Sequence, residues 1–336
     1  MAETTTATQS VTRTADSLSP LALGMLTLSL MLIYFWLSGT LSLEESAGFW
    51  IEPIRAIGIA LALSTTIAFL FAASRYAKRQ THVTLDQLIE SGTLSRETTA
   101  PLRMKVFSLS SSQNIAVSIL GVVFGCFNIP WNPIVNDLGQ PTMFASLSIV
   151  IGNLAVWLVV AHVLVRNILN SNSLGQLGRQ HAKVDLLRPD SLLPFGRIGT
   201  LSLAIVTITL TFTVFQSLDA ELRWVNYRNA FAVGLPAAVV LLLLPMLGIR
   251  QNVRAAKKRA LEKLNAAIAA ADRELKADSL HYLCDLLRQR ESIERTREWP
   301  LDTTAFSRVA IDVVIPPMAW VRGALAEILI EMAMTR

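Results

Sequence analysis

The chain has 336 residues, of which 52% are hydrophobic and only 16% charged, and its formal net charge is +5. A soluble domain carries about 25% charged residues; here the deficit comes with long apolar blocks, which excludes an ordinary soluble domain and selects the membrane class. The basic excess does not point to nucleic acid, because the Lys and Arg residues stand beside the apolar blocks, where anionic headgroups are the natural counter-charge.

Residues 1–19 are polar and rich in Thr and Ser, with Arg13 as their one basic residue, and read as a disordered cytoplasmic tail. The apolar core that begins at Leu21 is too long for a signal peptide and has no clear small-residue cleavage site, so it is expected to be a retained first span. A bilayer crossing needs roughly 20 mostly apolar residues. Six blocks meet or approach that length: Leu21–Leu41, Ile54–Ala73, Asn114–Trp131, Met143–Val165, Ile198–Phe215 and Ala230–Ile249. The third is the weakest on length, and the sixth contains Pro236 and Pro245. The predicted fold is all-α: a polytopic helical membrane bundle of about six spans over 20–249, with cytoplasmic loops 75–112 and 166–197.

The loops after the second, fourth and sixth blocks carry most of the basic residues, among them Arg75, Lys78, Arg79, Arg179, Lys183 and Arg254. The intervening loops are poor in them, and residues 128–141 have none. The excess of Lys and Arg on the cytoplasmic side then predicts a multi-pass protein of the cell inner (plasma) membrane, with cytoplasmic N- and C-termini. Trp36, Trp50, Trp131 and Trp224 all fall near the outer interface in that arrangement.

Inside the blocks there is no mid-span charge; Arg55, Arg166 and Arg197 lie at block ends, where they can snorkel to water. The milder polar residues are Asn114, Asn153, His162 and the Ser64–Thr66 run. His162 reads as an interfacial or packing residue, and Asn153 as a group that bonds across helices. Gly121 and Gly125 form a GxxxG pair, and Ser148 and Gly152 repeat the small-residue spacing on the next block. Such spacing lets two backbones approach closely, within one bundle or between subunits. Thr207, Thr209, Thr211 and Thr213 alternate with the period of a strand, but an open strand cannot cross lipid, so a threonine-bearing helix is expected.

In the first cytoplasmic loop, Thr84 and Gln87 have capping-box spacing ahead of Leu88 and Ile89, with Gly92 as a stop, which predicts a short helix. Residues 250–298 read as a basic cytoplasmic helical hairpin. Leu261, Leu264, Ile268, Ala271 and Leu275 give the first helix an apolar seam, and Leu280, Leu283, Leu287 and Ile293 give one to the second, capped near Asp278 or Ser279. Arg254, Lys257, Lys258, Arg259 and Lys263 at its membrane-near end are candidate lipid-headgroup contacts, each worth about 1 kcal/mol beside an anionic leaflet. Residues 299–336 read as two amphipathic interfacial helices joined at Pro316-Pro317. The apolar run from Val309 to Val321 is short for a span and is interrupted by Asp312.

The pattern contains no phosphate loop, no metal-ligand cluster and no nucleophile–base pair, so no enzyme, cofactor or metal is expected. Cys126 and Cys284 lie in contrasting surroundings and predict no disulfide framework. The segments "LLLLPMLGIRQNVRAAKKRALEKL", "EWPLD" and "IPPMAW" together resemble uncharacterised bacterial multi-span integral membrane proteins over about the last hundred residues. The resemblance implies an architecture and no activity. The functional expectation is a non-enzymatic membrane scaffold or signalling component. Its partners would be anionic lipid headgroups and a protein partner, or a second copy of the chain, through the cytoplasmic helices. The alternative is an oligomeric channel or passive transporter.

Overall fold

A computed structural model describes residues 19–41, 53–105, 108–129, 142–186, 189–217, 224–273 and 277–296. The residues before Ser19, the segments 42–52 and 130–141 that hold Trp50 and Trp131, and the segment 297–336 with Asp312 and Pro316-Pro317 lie outside them. Every regular element among the described residues is helical: α1 Pro20–Leu37, α2 Pro53–Glu90, α3 Arg96–Lys105, α4 Ser111–Phe127, α5 Met143–Gln180, α6 Leu193–Thr211, α7 Trp224–Arg273 and α8 Ala277–Arg295. Short 3₁₀ turns, Pro189–Leu192 and Phe212–Ser217, flank α6.

The protein is a helical membrane bundle. Five helices, α1, α2, α5, α6 and α7, are long and apolar enough to cross a membrane. Of the six expected spans, the third is the exception: α4 has 17 residues, about 25 Å of helix against about 30 Å of hydrocarbon. α1 turns most of its side chains outward, with Leu21, Leu30 and Leu37 exposed by 77%, 59% and 72%. On a soluble protein such a face is an aggregation hazard; against acyl chains it costs nothing.

Local chemistry sets the helix ends. Ser19 caps α1 by accepting a hydrogen bond from the Ala22 amide, and Pro20 supplies a ready helical φ at the first position. Its far end is a Schellman turn: Gly39 has φ +79°, its amide donates to Trp36, and the Thr40 amide donates to Phe35. α4 opens with a full capping box between Ser110 and Gln113. The threonines of α6 turn back on their own helix, Thr207 donating to the Leu203 carbonyl and Thr209 to that of Ile205. This satisfies their hydroxyls in an apolar setting, so the two-residue alternation produces a helix and not a strand.

The spans do not stop at the membrane. α2 and α5 each have 38 residues and α7 has 50, or about 57 and 75 Å at 1.5 Å per residue. Much of the two stretches expected to be cytoplasmic loops is therefore helix continued from the spans. The expected cap at Thr84 does not occur, because α2 runs through it to Glu90. Leu85 and Leu88 are wholly buried there, and their packing holds the helix together past the cap sequence. Gly92, with φ +71°, lies just past the end of α2 as anticipated. Likewise α7 passes Ile249 and Arg250 without a break, and α8 starts one residue before Asp278.

The extended ends of α2, α5 and α7 meet in one apolar core, built from Leu85, Leu88, Leu174, Leu177, Phe195 and Ile249 with neighbours from the connecting turns. Around it, Asn252 of α7 donates to the carbonyls of Gly178 and Ala182 at 3.0 and 2.8 Å, closing the end of α5. Arg103 pairs with Asp86 at 2.8 Å and ties α3 to α2. The result is a packed head at the end of the bundle where the basic residues gather.

Candidate functional site

Two regions of the structure have the shape and chemistry of a site. The first is inside the bundle. α2, α4, α5, α6 and α7 line a partly open cavity of about 490 Å³, within the usual range for ligand pockets of about 300–1,000 Å³. Along α2 it reaches from Arg55 to Leu70, about 22 Å at the helical rise, so it is drawn out parallel to the spans. Its middle and far walls are mostly apolar, with Leu63, Val156, Trp157, Val163 and Ile205 among them and the uncharged polar Thr66, Asn167, Ser202 and Thr209 between. Trp157 is held by stacking on Phe124, ring centres 5.6 Å apart.

The near end is polar. Arg55, Asn128, Gln216 and Asn229 line it. All four sit where helices begin or end, at the level opposite the head. The amide of Asn229 donates to the side-chain oxygen of Asn128, joining α7 to the end of α4. The sequence placed Arg55 at a block end, free to snorkel outward; in the fold it lines the cavity, and its buried Nε meets no hydrogen-bond partner among the described residues. A buried guanidinium nitrogen without an acceptor is costly, and it makes this end of the cavity electropositive.

The predicted packing residues lie along the same helices. Gly121 and Gly125 of α4 face α5: a Cβ on Gly121 would meet the backbone of Leu158 at 2.8 Å, and one on Gly125 the side chain of Leu154 at 2.7 Å. Asn153 donates to the Gly125 carbonyl at 3.0 Å across the same contact and also lines the cavity. Gly152 faces the other way, against Phe35 of α1 and Leu63 of α2. Thr40 and Ser148, 2.6 Å apart through their hydroxyls, tie that α1–α5 contact further along. His162 keeps its Nδ1 at 2.9 Å from the carbonyl of Leu158, one turn back on its own helix.

The closest approach in the bundle carries no GxxxG signature. A Cβ on Gly248 of α7 would collide with the backbone carbonyl of Gly175 on α5, and one on Gly175 would lie 2.7 Å from the Leu244 carbonyl. Gly199 of α6 makes a similar approach to Leu242, 2.8 Å to its carbonyl oxygen. Glycines on α5 and α7 thus let two backbones touch where the spans become the head.

The second region is the basic stem of α7 with α8. Arg254, Lys258, Arg259 and Lys263 are exposed on α7, while Lys257 is half-buried. Lys258 approaches Glu262 one turn on, at 3.9 Å. Lys257 is engaged differently: its ammonium donates to the carbonyls of Glu294 at 2.6 Å and Thr296 at 3.3 Å, at the end of α8. A cation on the last carbonyls of a helix also complements the negative end of its dipole. The contact joins the start of the stem to the end of α8, so the two helices run antiparallel. Lys257→Ala is expected to loosen α8, with an effect of about 1 kcal/mol. Trypsin cleavage at Arg273 or Lys276 should become several-fold faster in detergent-solubilised protein, whereas Lys263→Ala should leave it unchanged.

Cys126 and Cys284 form no disulfide with each other, and Cys284 is exposed on α8. No group of three or more His, Cys, Asp or Glu side chains with metal-binding geometry occurs among the described residues. Comparison with protein families, curated proteins and solved structures finds no match to this chain.

Proposed function

We propose that the protein is a non-enzymatic membrane scaffold or signalling component whose helical head is the part that meets a partner. The observation that carries this reading is the continuity of α2, α5 and α7 from the apolar bundle into a head with its own buried core. A simple connector between spans needs no packed core; a surface held rigidly against the membrane does. On α8, Tyr282 and Leu287 are large apolar side chains left exposed by 55% and 45% beside exposed charged residues such as Asp285 and Arg288, which supports α8 as the contact face.

The head is cytoplasmic in this proposal and the membrane is the cell inner (plasma) membrane, on the strength of the Lys and Arg bias. Both termini are then cytoplasmic, and 309–321 lies at the inner interface. Cysteine labelling in a chain lacking Cys126 tests the topology. Native Cys284 and Ser91→Cys should react with an impermeant maleimide only from the cytoplasmic side, and Asp219→Cys only from the outside. Asp219→Cys labelled from the cytoplasmic side alone would overturn the orientation, and an external reporter fused after Arg336 would make the tail a further crossing.

The alternative, an oligomeric channel or passive transporter, draws on the bundle cavity, whose walls include Thr66, Thr209 and Thr213. Photo-crosslinking and flux separate the two. Crosslinkers at Tyr282 and Leu287 in intact cells should give discrete protein adducts that a crosslinker at lipid-facing Leu30 does not. Liposomes containing the purified protein should stay sealed to potassium and to small anions. Flux in the liposomes together with no adduct from α8 would favour the channel.

A further inference from the structure

We propose that the cavity in the bundle is a binding site for a single-chain amphiphile with an anionic head, such as a long-chain fatty acid, its carboxylate held by Arg55. Four observations converge. The cavity is drawn out along the spans, the shape of an alkyl chain, with a volume of about 490 Å³. Its deeper walls are mostly apolar side chains such as Leu70, Val160, Val163 and Ile205, with the uncharged Thr66, Asn167 and Ser202 between them. Charge is confined to one end, where Arg55, the one charged side chain among the described lining residues, stands with Asn128, Gln216 and Asn229. Finally, the buried Nε of Arg55 has no acceptor among the described residues, and no Asp or Glu is among the described residues that line the cavity.

A guanidinium presents its N–H groups in a planar fork that matches a carboxylate, and the pairing strengthens away from water. The side-chain amides of Asn128, Gln216 and Asn229 lie at the same end, where a polar head would sit. An apolar ligand without a head would fill the walls but leave Arg55 unanswered, and a free small anion would answer Arg55 but leave the length of the cavity empty. The amphiphile satisfies both ends at once, and the bilayer delivers it. This site is separate from the head and from any partner bound there.

The test uses the full chain in phosphatidylcholine nanodiscs and a dibrominated stearate as the probe, since bromine quenches tryptophan on close contact and Trp157 lines the cavity. The component of quenching lost in Trp157→Phe reports the site. Saturable quenching is expected, with affinity reduced by about tenfold or more in Arg55→Gln and largely kept in Arg55→Lys. Ala62→Phe, which places a ring in the middle of the cavity, should abolish it while the helical circular dichroism is retained. On the unmodified protein, the methyl ester of the same stearate should bind about tenfold or more weakly, a comparison that needs no variant to fold. Equal binding of acid and ester would overturn the proposal, as would an Arg55→Gln protein that binds the acid normally. Full displacement of the probe by phosphatidylglycerol, but not by unbrominated stearate, would assign the site to a two-chain lipid instead. Each outcome leaves the crosslinking at α8 untouched, so the two proposals fail independently.

Discussion

Replacing Gly248 with leucine is expected to be the most damaging single change in the described fold. Even one carbon at that position collides with the Gly175 carbonyl, and that atom belongs to a backbone that cannot rotate aside. α5 and α7 must then separate along their whole contact, which opens the packing of Ile249 and Val253 in the head and of Met246 and Leu242 in the bundle. Overpacking in a close-packed interior costs about 1–3 kcal/mol and occasionally more; a backbone-to-backbone clash belongs at or beyond the upper end. Thermal unfolding in mild detergent should show a midpoint many degrees lower, or no folded protein at all. Gly24→Ala is a graded control, because a Cβ there meets only the Ala72 side chain at 3.1 Å and a carbonyl at 3.4 Å, and should be far milder. A Gly248→Leu protein as stable as the parent would mean that α5 and α7 do not cross at these glycines.

The next largest effect is expected from Leu174→Ala. Leu174 is wholly buried at the centre of the head, among Leu85, Leu88, Leu177 and Phe195. Truncating a fully buried leucine costs about 2–5 kcal/mol, through lost burial and the cavity left behind. The side chain lies well past the apolar part of α5, so if 166–197 were a simple loop the change would be nearly neutral. Hydrogen exchange gives the sharper measurement. Amides of the last turns of α2 and α5 should exchange many-fold faster in Leu174→Ala, while the spans of α1 and α2 keep their protection. Unchanged exchange in the head would contradict its packed core.

The contrast between these two predictions shows which parts of the molecule were written plainly in the sequence. The spans were, because a block of apolar residues of sufficient length has one stable home: α2, α5 and α7 each contain the block expected, and α1 and α6 each cover all but its last four residues. The threonine run of α6 was readable for the same reason: lipid forbids the strand that its alternation imitates. The head was not. Its apolar residues, Leu85 and Leu88, Leu174 and Leu177, Ile249 and Val253, come in pairs three or four apart among charged and polar neighbours. Each pair alone is too weak a signal to extend a helix past the membrane, and only their meeting in three dimensions gives them weight.

The sites divide in the same way. Gly121, Gly125 and Asn153 could be singled out because helix contacts leave a local spacing. Gly175 and Gly248 belong to different spans and leave no common pattern. Lys257 is one of several lysines and arginines on a basic stem, and nothing in the sequence marks it as the one turned to the end of α8. Arg55 was noticed, but a charge at the end of a span has two resting places, outward to water or inward to a cavity, and the choice depends on a void that no single helix contains.

The contact of Gly175 with Gly248 has a mechanical meaning as well. Two helices that touch backbone to backbone at one point, with side chains excluded from between them, have a fulcrum there. From Gly248 to the end of α7 at Arg273 is about 38 Å of uninterrupted helix at 1.5 Å per residue. A tilt of α7 by about 10° about the crossing, well inside the spread of tilts that spans adopt as bilayer thickness varies, therefore sweeps the tip through about 7 Å. The stem is one arm of a lever whose other arm, about 36 Å from Gly248 back to Trp224, lies in lipid. A thinner bilayer, or a wedge entering the bundle beside that arm, would be read at α8 as a displacement of comparable size.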